Sequence, residues 1–188
     1  MPFPDDELAW KIKVLPEMPV DPWIVCANTP DMQHIKTLHG ITIDGQDPHE
    51  AVEWTDHSLF YEFTGIHTTG ERIHNRIGII GTSLYWQSTR IEGRWFGFLA
   101  PFGMPGPSRA LTYLLVCTRK DAGTPQEIDA FLNYVVDLET KVVSEDMHNM
   151  LTIRFKPGIL TRSDKSLARF LRYMKAYPRA HPSAEFIR

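Results

Sequence analysis

Cysteine is scarce. The chain of 188 residues has two, Cys26 and Cys117, too few for a disulfide framework and suited to a reducing cytoplasm. Long apolar runs are also missing: none reaches the ~20 residues that cross a bilayer. Met1 to Asp6 is acidic and proline-rich, unlike a signal peptide. Nor does charge of one sign accumulate. A net charge of −3 and a pI near 6.2 give no reason to expect nucleic acid or an anionic membrane surface as partner. There is no H-E-x-x-H helix to supply the base of a hydrolytic zinc site. With 43% apolar and 23% charged residues, the chain reads as one soluble globular domain with a sizeable core.

Histidine is present, and two of the eight stand close together. The stretch Asp31-Met32-Gln33-His34-Ile35-Lys36-Thr37-Leu38-His39-Gly40 brings a carboxylate and two imidazoles together. Two neutral imidazoles, completed by one distant carboxylate, form the facial triad that holds Fe(II) on one face and leaves the other open. His34 and His39 are the candidates. On a regular helix, residues five apart point about 140° from one another. The two rings converge only if a π-bulge separates them, or if His39 lies at a fraying helix end where Gly40 takes the left-handed cap. Asp31 is three residues before His34, so the side chains can meet, and a carboxylate there would orient the ring. Taken alone, the spacing also describes an ordinary polar helix start.

The run from Asn28 through Asp31 and His34 to His39 resembles the N-x-x-D-x-x-H-x-x-x-x-H segment of Rieske-type non-haem iron oxygenases, in the catalytic domain of the large subunit. The resemblance extends from about Trp23 to the C-terminal tail and leans to the monooxygenase-like branch, with its ketosteroid hydroxylases and O-demethylases. It implies that His34 and His39 bind mononuclear Fe(II). It implies that Asp31 hydrogen-bonds to His34 and leads towards the Rieske [2Fe–2S] cluster of a neighbouring subunit, in a homotrimer. It places the third ligand on a long C-terminal helix, often in a Glu-Asp pair; Glu145-Asp146 stands there, and Asp146 is the implied ligand. Asn28 either hydrogen-bonds near the iron or only starts the helix. The cluster itself needs C-x-H and C-x-x-H pairs. Cys26 is followed by Ala27-Asn28 and Cys117 by Thr118-Arg119, so the [2Fe–2S] centre is expected on a missing domain or on a separate ferredoxin or reductase donor.

Along the chain, residues 1–22 hold five of the 14 prolines and read as a lead-in with a short strand at Trp10 to Leu15, either a linker remnant or an ordered arm. Residues 23–188 form the expected catalytic domain. Trp23 to Ala27 is a short buried run, and Thr29-Pro30 opens a helix reaching His39. Asp44-Gly45 and Asp47-Pro48 mark turns. From Ser58 to Arg119 the pattern is β, with strands at Leu59 to Phe63, Arg76 to Trp86, Arg94 to Pro101 and Ala110 to Thr118, and turns at Thr69-Gly70, Glu92-Gly93 and Gly103 to Ser108. Thr124-Pro125-Gln126-Glu127 is a capping box. It opens a helix to about Asn149, with Ile128, Phe131, Leu132, Val135, Leu138 and Val142 on one face. After Pro157-Gly158, Ser163 caps a last helix, Leu167 to Tyr177, whose Lys165, Arg169, Arg172 and Lys175 form a basic face, solvated or docking an acidic electron donor. Pro178 and Pro182 mark a tail.

The expected architecture is α+β: a curved antiparallel sheet gripping one long helix, the helix-grip fold, with a cavity between them. On the residues alone, Glu145, Asp146 and His148 are all candidate third ligands, or simply a solvated helix end. The function expected is an oxygenase that uses Fe(II) and O2 to hydroxylate or demethylate an apolar aromatic, terpenoid or steroid-like substrate. The alternative is a helix-grip module that binds an apolar molecule without a metal.

Overall fold

The computed structural model describes residues 1–45, 48–152 and 160–178; Asp47 of the Asp47-Pro48 turn, the Pro157-Gly158 turn and Pro182 lie outside them. In chain order the elements are β1 (Leu8–Val14), α1 (Pro22–Ala27), α2 (Met32–Thr37), β2 (Ile41–Ile43), β3 (Glu53–Trp54), β4 (Ser58–His67), β5 (Arg72–Ile80), β6 (Leu84–Ile91), β7 (Arg94–Gly106), β8 (Arg109–Arg119), α3 (Pro125–Thr152) and α4 (Lys165–Ala176). The strands make one curved antiparallel sheet in the order β1-β8-β7-β6-β5-β4-β2, with β3 on β4. The long helix α3 packs on β8 and β1. This is the helix-grip fold.

The meander follows from alternation and turn chemistry. Along β4, Leu59, Tyr61 and Phe63 point inward between more exposed neighbours. Glu92 and Gly93 both have positive φ, 49° and 80°, as the tight hairpin between β6 and β7 requires. The expected single strand Arg76 to Trp86 is in fact two: Gly81, at φ 65°, with Thr82 and Ser83 turns β5 into β6. The turn expected across Gly103 to Ser108 shrinks to Pro107-Ser108, because β7 continues to Gly106 through a register shift. In the lead-in, β1 pairs with β8 along its whole length.

The helices start elsewhere than the motif suggested. Asp21-Pro22 carries the same kind of start signal, a capping residue followed by proline, and α1 begins there, so the run Trp23 to Ala27 is helical, with Cys26 and Ala27 buried and Trp23, Ile24 and Val25 partly so. Thr29-Pro30 then forms the turn between two helices, and α2 starts only at Met32. The Tyr61 hydroxyl, buried in the sheet, donates to the Thr29 carbonyl at 2.6 Å and pins this turn to the sheet. For α4, the capping box is Thr161 with Asp164, not Ser163, so a 3-10 turn and the helix begin earlier than expected. In α3 the capping box holds: Thr124 N–H donates to Glu127 at 2.8 Å, and Glu127 N–H returns to Thr124 Oγ1 at 3.3 Å.

Leu59, Ile79, Leu114 and Val116 of the sheet, Val135 of α3 and Phe170 of α4 are fully buried in one core. Each contributes about 1.5–3 kcal/mol by leaving water. The C-terminal half of α3 departs from that pattern. Leu138 and Val142 are only partly buried and line a cavity instead. No helix among the described residues is long and apolar enough to cross a membrane.

Candidate metal centre and cavity

His34 sits on α2 with Nδ1 against the backbone carbonyl of Asp31. An Nδ1–H donated there leaves Nε2 free to ligate. His34 thus bonds to the Asp31 main-chain carbonyl instead of to its carboxylate, Asp31 standing at the helix N-cap rather than inside the helix. His39 lies just past the helix end. The His34 carbonyl accepts from Leu38 N–H at 2.7 Å and from His39 N–H at 3.4 Å. The second bond spans five residues, so the last turn is widened. Gly40, at φ 65°, then takes the left-handed conformation and turns the chain into β2. The widened end and the glycine together solve the 140° problem: the two imidazole rings stand 5.1 Å apart at 79°.

The carboxylates arrive from α3. Asp146 Oδ1 is 3.1 Å from His39 Nε2. One ligand atom each from His34, His39 and Asp146 lies within 4.8 Å of the others. Two ligands bound at about 2.1 Å on adjacent octahedral positions are themselves about 3 Å apart, so the His39–Asp146 separation suits a shared ion. Asp146 Oδ1 is buried, and its one polar neighbour, His39 Nε2 at 3.1 Å, is not aligned as a hydrogen bond. Such an atom is costly unless a cation or donor satisfies it. The donor set, two imidazoles and one carboxylate, fits Fe(II).

Glu145 has a different place. Its Oε2 accepts from the opposite ring nitrogen of His39, Nδ1, at 3.2 Å. Adjacent residues on a helix point about 100° apart, and the His39 ring lies between them. Glu145 orients the ring; Asp146 faces the nitrogen that would ligate. His148 is exposed.

The two histidines are tuned in opposite directions. Burial holds His34 below the usual range, outweighing the Asp146 carboxylate that favours its charge. Burial opposes charge on His39 too, but Asp146 and then Glu145 outweigh it and raise it. The other described histidines go elsewhere: His74 to Glu62 at 2.7 Å, His49 to Ser166 at 2.8 Å, His67 to Thr69, and His57 against the Tyr177 ring. The basic face of α4 is partly engaged, with the Arg169 guanidinium 4.7 Å from the centre of the Trp54 ring.

Between the sheet and α3 lies a cavity of about 670 Å³, and the His34–His39–Asp146 group is in its wall, with Asn28 at the C-cap of α1 beside it. Phe63, Phe96 and Phe98 give it an aromatic lining. Sequence reasoning passed over one of its residues, Glu139. It sits in the apolar stripe of α3 and is 5% exposed, and burial pushes its carboxyl up to about 7. An acid interrupting a helical apolar face, seven residues before Asp146, was the available signal.

No family model and no curated protein matches the chain. Solved structures do match in fold. The quaternary ammonium Rieske monooxygenase CntA superposes with a TM-score of 0.61 at 12% identity, over 92% of this chain and 50% of that one. Dicamba monooxygenase bound to dicamba gives 0.57 at 11%, over 91% and 58%. Ara h 8.0201 gives 0.53 at 13%, over 78% and 99%. At these identities the likeness is one of fold. The chain spans about half the length of the Rieske oxygenase structures it matches.

Proposed function

We propose that this chain is the catalytic domain of a Rieske-type non-haem iron monooxygenase, with His34, His39 and Asp146 as the ligands of a mononuclear Fe(II). The observation that carries the reading is the convergence of those three ligand atoms within 4.8 Å, around a buried Asp146 oxygen that lacks a hydrogen bond. Iron there supplies activation of O2 and insertion of oxygen into a substrate C–H bond, which also removes a methyl group when the carbon is on oxygen or nitrogen.

The chain's own residues prepare that chemistry. The Asp31 carbonyl fixes the His34 ring, and Glu145 fixes the His39 ring. The low basicity of His34 keeps it neutral and ready to ligate. The cavity takes an apolar aromatic, terpenoid or steroid-like substrate against its phenylalanines. The electron donor in this reading is a Rieske [2Fe–2S] centre on another domain or a ferredoxin or reductase. Neither Cys26 nor Cys117 belongs to a cluster motif, and both are buried. By the family resemblance the assembly is a homotrimer, with the Asp31–His34 segment facing the donor of a neighbouring copy.

Anaerobic Fe(II) titration with metal analysis tests the reading. One iron per chain is expected in the wild type, lost in His34→Ala, His39→Ala and Asp146→Ala. A wild type that takes up no stoichiometric iron sinks it. The second reading, a binding module for an apolar molecule, is supported by the cavity and by the likeness to Ara h 8.0201, a structure not named as an oxygenase. It gains if ligands bind equally well to all three variants and no iron does.

A further inference from the structure

We propose that the cavity is built for an apolar molecule carrying a basic amine, which Glu139 receives as an ammonium ion. As a statement about substrate this rests on the oxygenase reading; as a statement about binding it does not.

The inference starts from the direction of the hydrogen bonds around Glu139. Tyr85 donates to Gln87 Oε1 at 2.7 Å. Gln87 Nε2 donates to Thr89 at 2.8 Å and to Glu139 Oε1 at 3.3 Å. Thr89 donates onward to Asn75 Oδ1. Both protons of the Gln87 amide and the Thr89 hydroxyl proton are therefore committed inside the network. Glu139 receives one hydrogen bond, and among the described residues no Lys or Arg pairs with it. The nearest lysine in sequence on the cavity wall, Lys141, is 75% exposed and turns to Glu145 at 3.7 Å. The unspent capacity of the network is an acceptor with a latent negative charge, 5% exposed and in the cavity wall.

The chemistry of the complement follows. An apolar ligand leaves this carboxyl buried and half satisfied, which is costly. A hydroxyl gives it one hydrogen bond and no countercharge. An ammonium gives both, and a desolvated charged hydrogen bond is among the strongest a protein makes. The rings of Tyr85 and Phe98, 5.6 Å apart, stand on the same wall, and aromatic rings beside a charge site favour a cation. Glu139 and Asp146 are seven residues apart on one helix face, about 10 Å along the axis. A ligand anchored at Glu139 extends its apolar body towards the metal ligands.

The test uses the full chain, metal-free in excess chelator, and two matched probes: 1-naphthylmethylamine and 1-naphthylmethanol. Calorimetry is expected to show the amine binding about tenfold or more tighter than the alcohol. Glu139→Gln removes that preference and leaves the alcohol within about twofold. Asp146→Asn keeps it. Gln87→Leu, which leaves the carboxyl and takes away its one donor, keeps or strengthens it, and reads the same question if Glu139→Gln fails to fold. The proposal is overturned if alcohol and amine bind the wild type equally, if neither binds at millimolar concentration, or if Asp146→Asn rather than Glu139→Gln abolishes the preference. Loss of the preference in Gln87→Leu overturns it too. A wild type that prefers the amine but takes up no iron retires the oxygenase reading and leaves this one standing.

Discussion

Glu145 holds Nδ1 of His39 at 3.2 Å from the side of the ring opposite Asp146. In the proposed reading, neighbouring carboxylates on one helix divide the work: Glu145 sets the ring, and Asp146 would share the ion. Glu145→Gln is expected to lower metal affinity about 10- to 100-fold without abolishing it. Asp146→Ala abolishes it. Titration with Co(II), read by its visible absorption, separates the two; equal losses would mean that both acids ligate.

Metal-free stability should fall as pH rises through the range of Glu139. Its carboxyl stands near 7 in the folded protein against an ordinary 4.5. Below about 4.5 both states are protonated and the site costs nothing. Between the two values the unfolded chain ionises while the folded one resists, and above about 7 the cost is full, of order 3 kcal/mol. His39 and Asp146 bear on the same carboxyl in opposite senses, more weakly than burial does. Glu139→Gln is therefore expected to be more stable than wild type at pH 8 and nearly equal to it at pH 4.5. Urea melts at the two pH values measure this. A stabilisation that does not change with pH would assign the effect to packing instead.

Gly40→Ala should strain the turn after His39. A side chain at φ 65° costs roughly 1 kcal/mol, and the new Cβ would stand 3.0 Å from Thr68. The expected result is a melting temperature lower by about 2–4 °C, with weaker metal binding because His39 is one residue away. An unchanged melt with full metal affinity would show that the left-handed turn is dispensable.

Leu138→Trp fills cavity space from α3 without touching a metal ligand. Binding of 1-naphthylmethanol should drop about tenfold or more while iron stoichiometry stays at wild type. Loss of iron along with the ligand would mean that the cavity and the metal site are not separable.

Much of this was legible in the sequence. The α3 capping box, the meander and the Glu92-Gly93 turn are local signals, and local chemistry governs them. His34 and His39 were legible as a pattern and Asp146 only through the family resemblance, though spacing alone could not say how rings 140° apart would meet; the widened turn and Gly40 are tertiary answers. The start of α2 was misplaced because two acid- or threonine-proline signals compete within nine residues, and Tyr61, far downstream, holds the second of them as a turn. The role of Glu145 was illegible because it depends on which nitrogen of His39 faces α3. Glu139 escaped because a helical-face count looks for apolar residues and steps over the acid among them.

The proposed metal ligands come from two places far apart in sequence, His39 and Asp146 lying 107 positions apart (146 − 39). An ion shared by His34, His39 and Asp146 would therefore act as a staple, fastening the short helices at the cavity wall to the long helix across a closed loop of that size. A crosslink over so long a loop removes several kcal/mol of freedom from the unfolded chain. Loading the site would then do more than equip the protein for chemistry: it would fasten the wall of the chamber. Limited proteolysis should cut near residues 28–40 faster after chelation, and the site's occupancy becomes readable from how often that wall swings open.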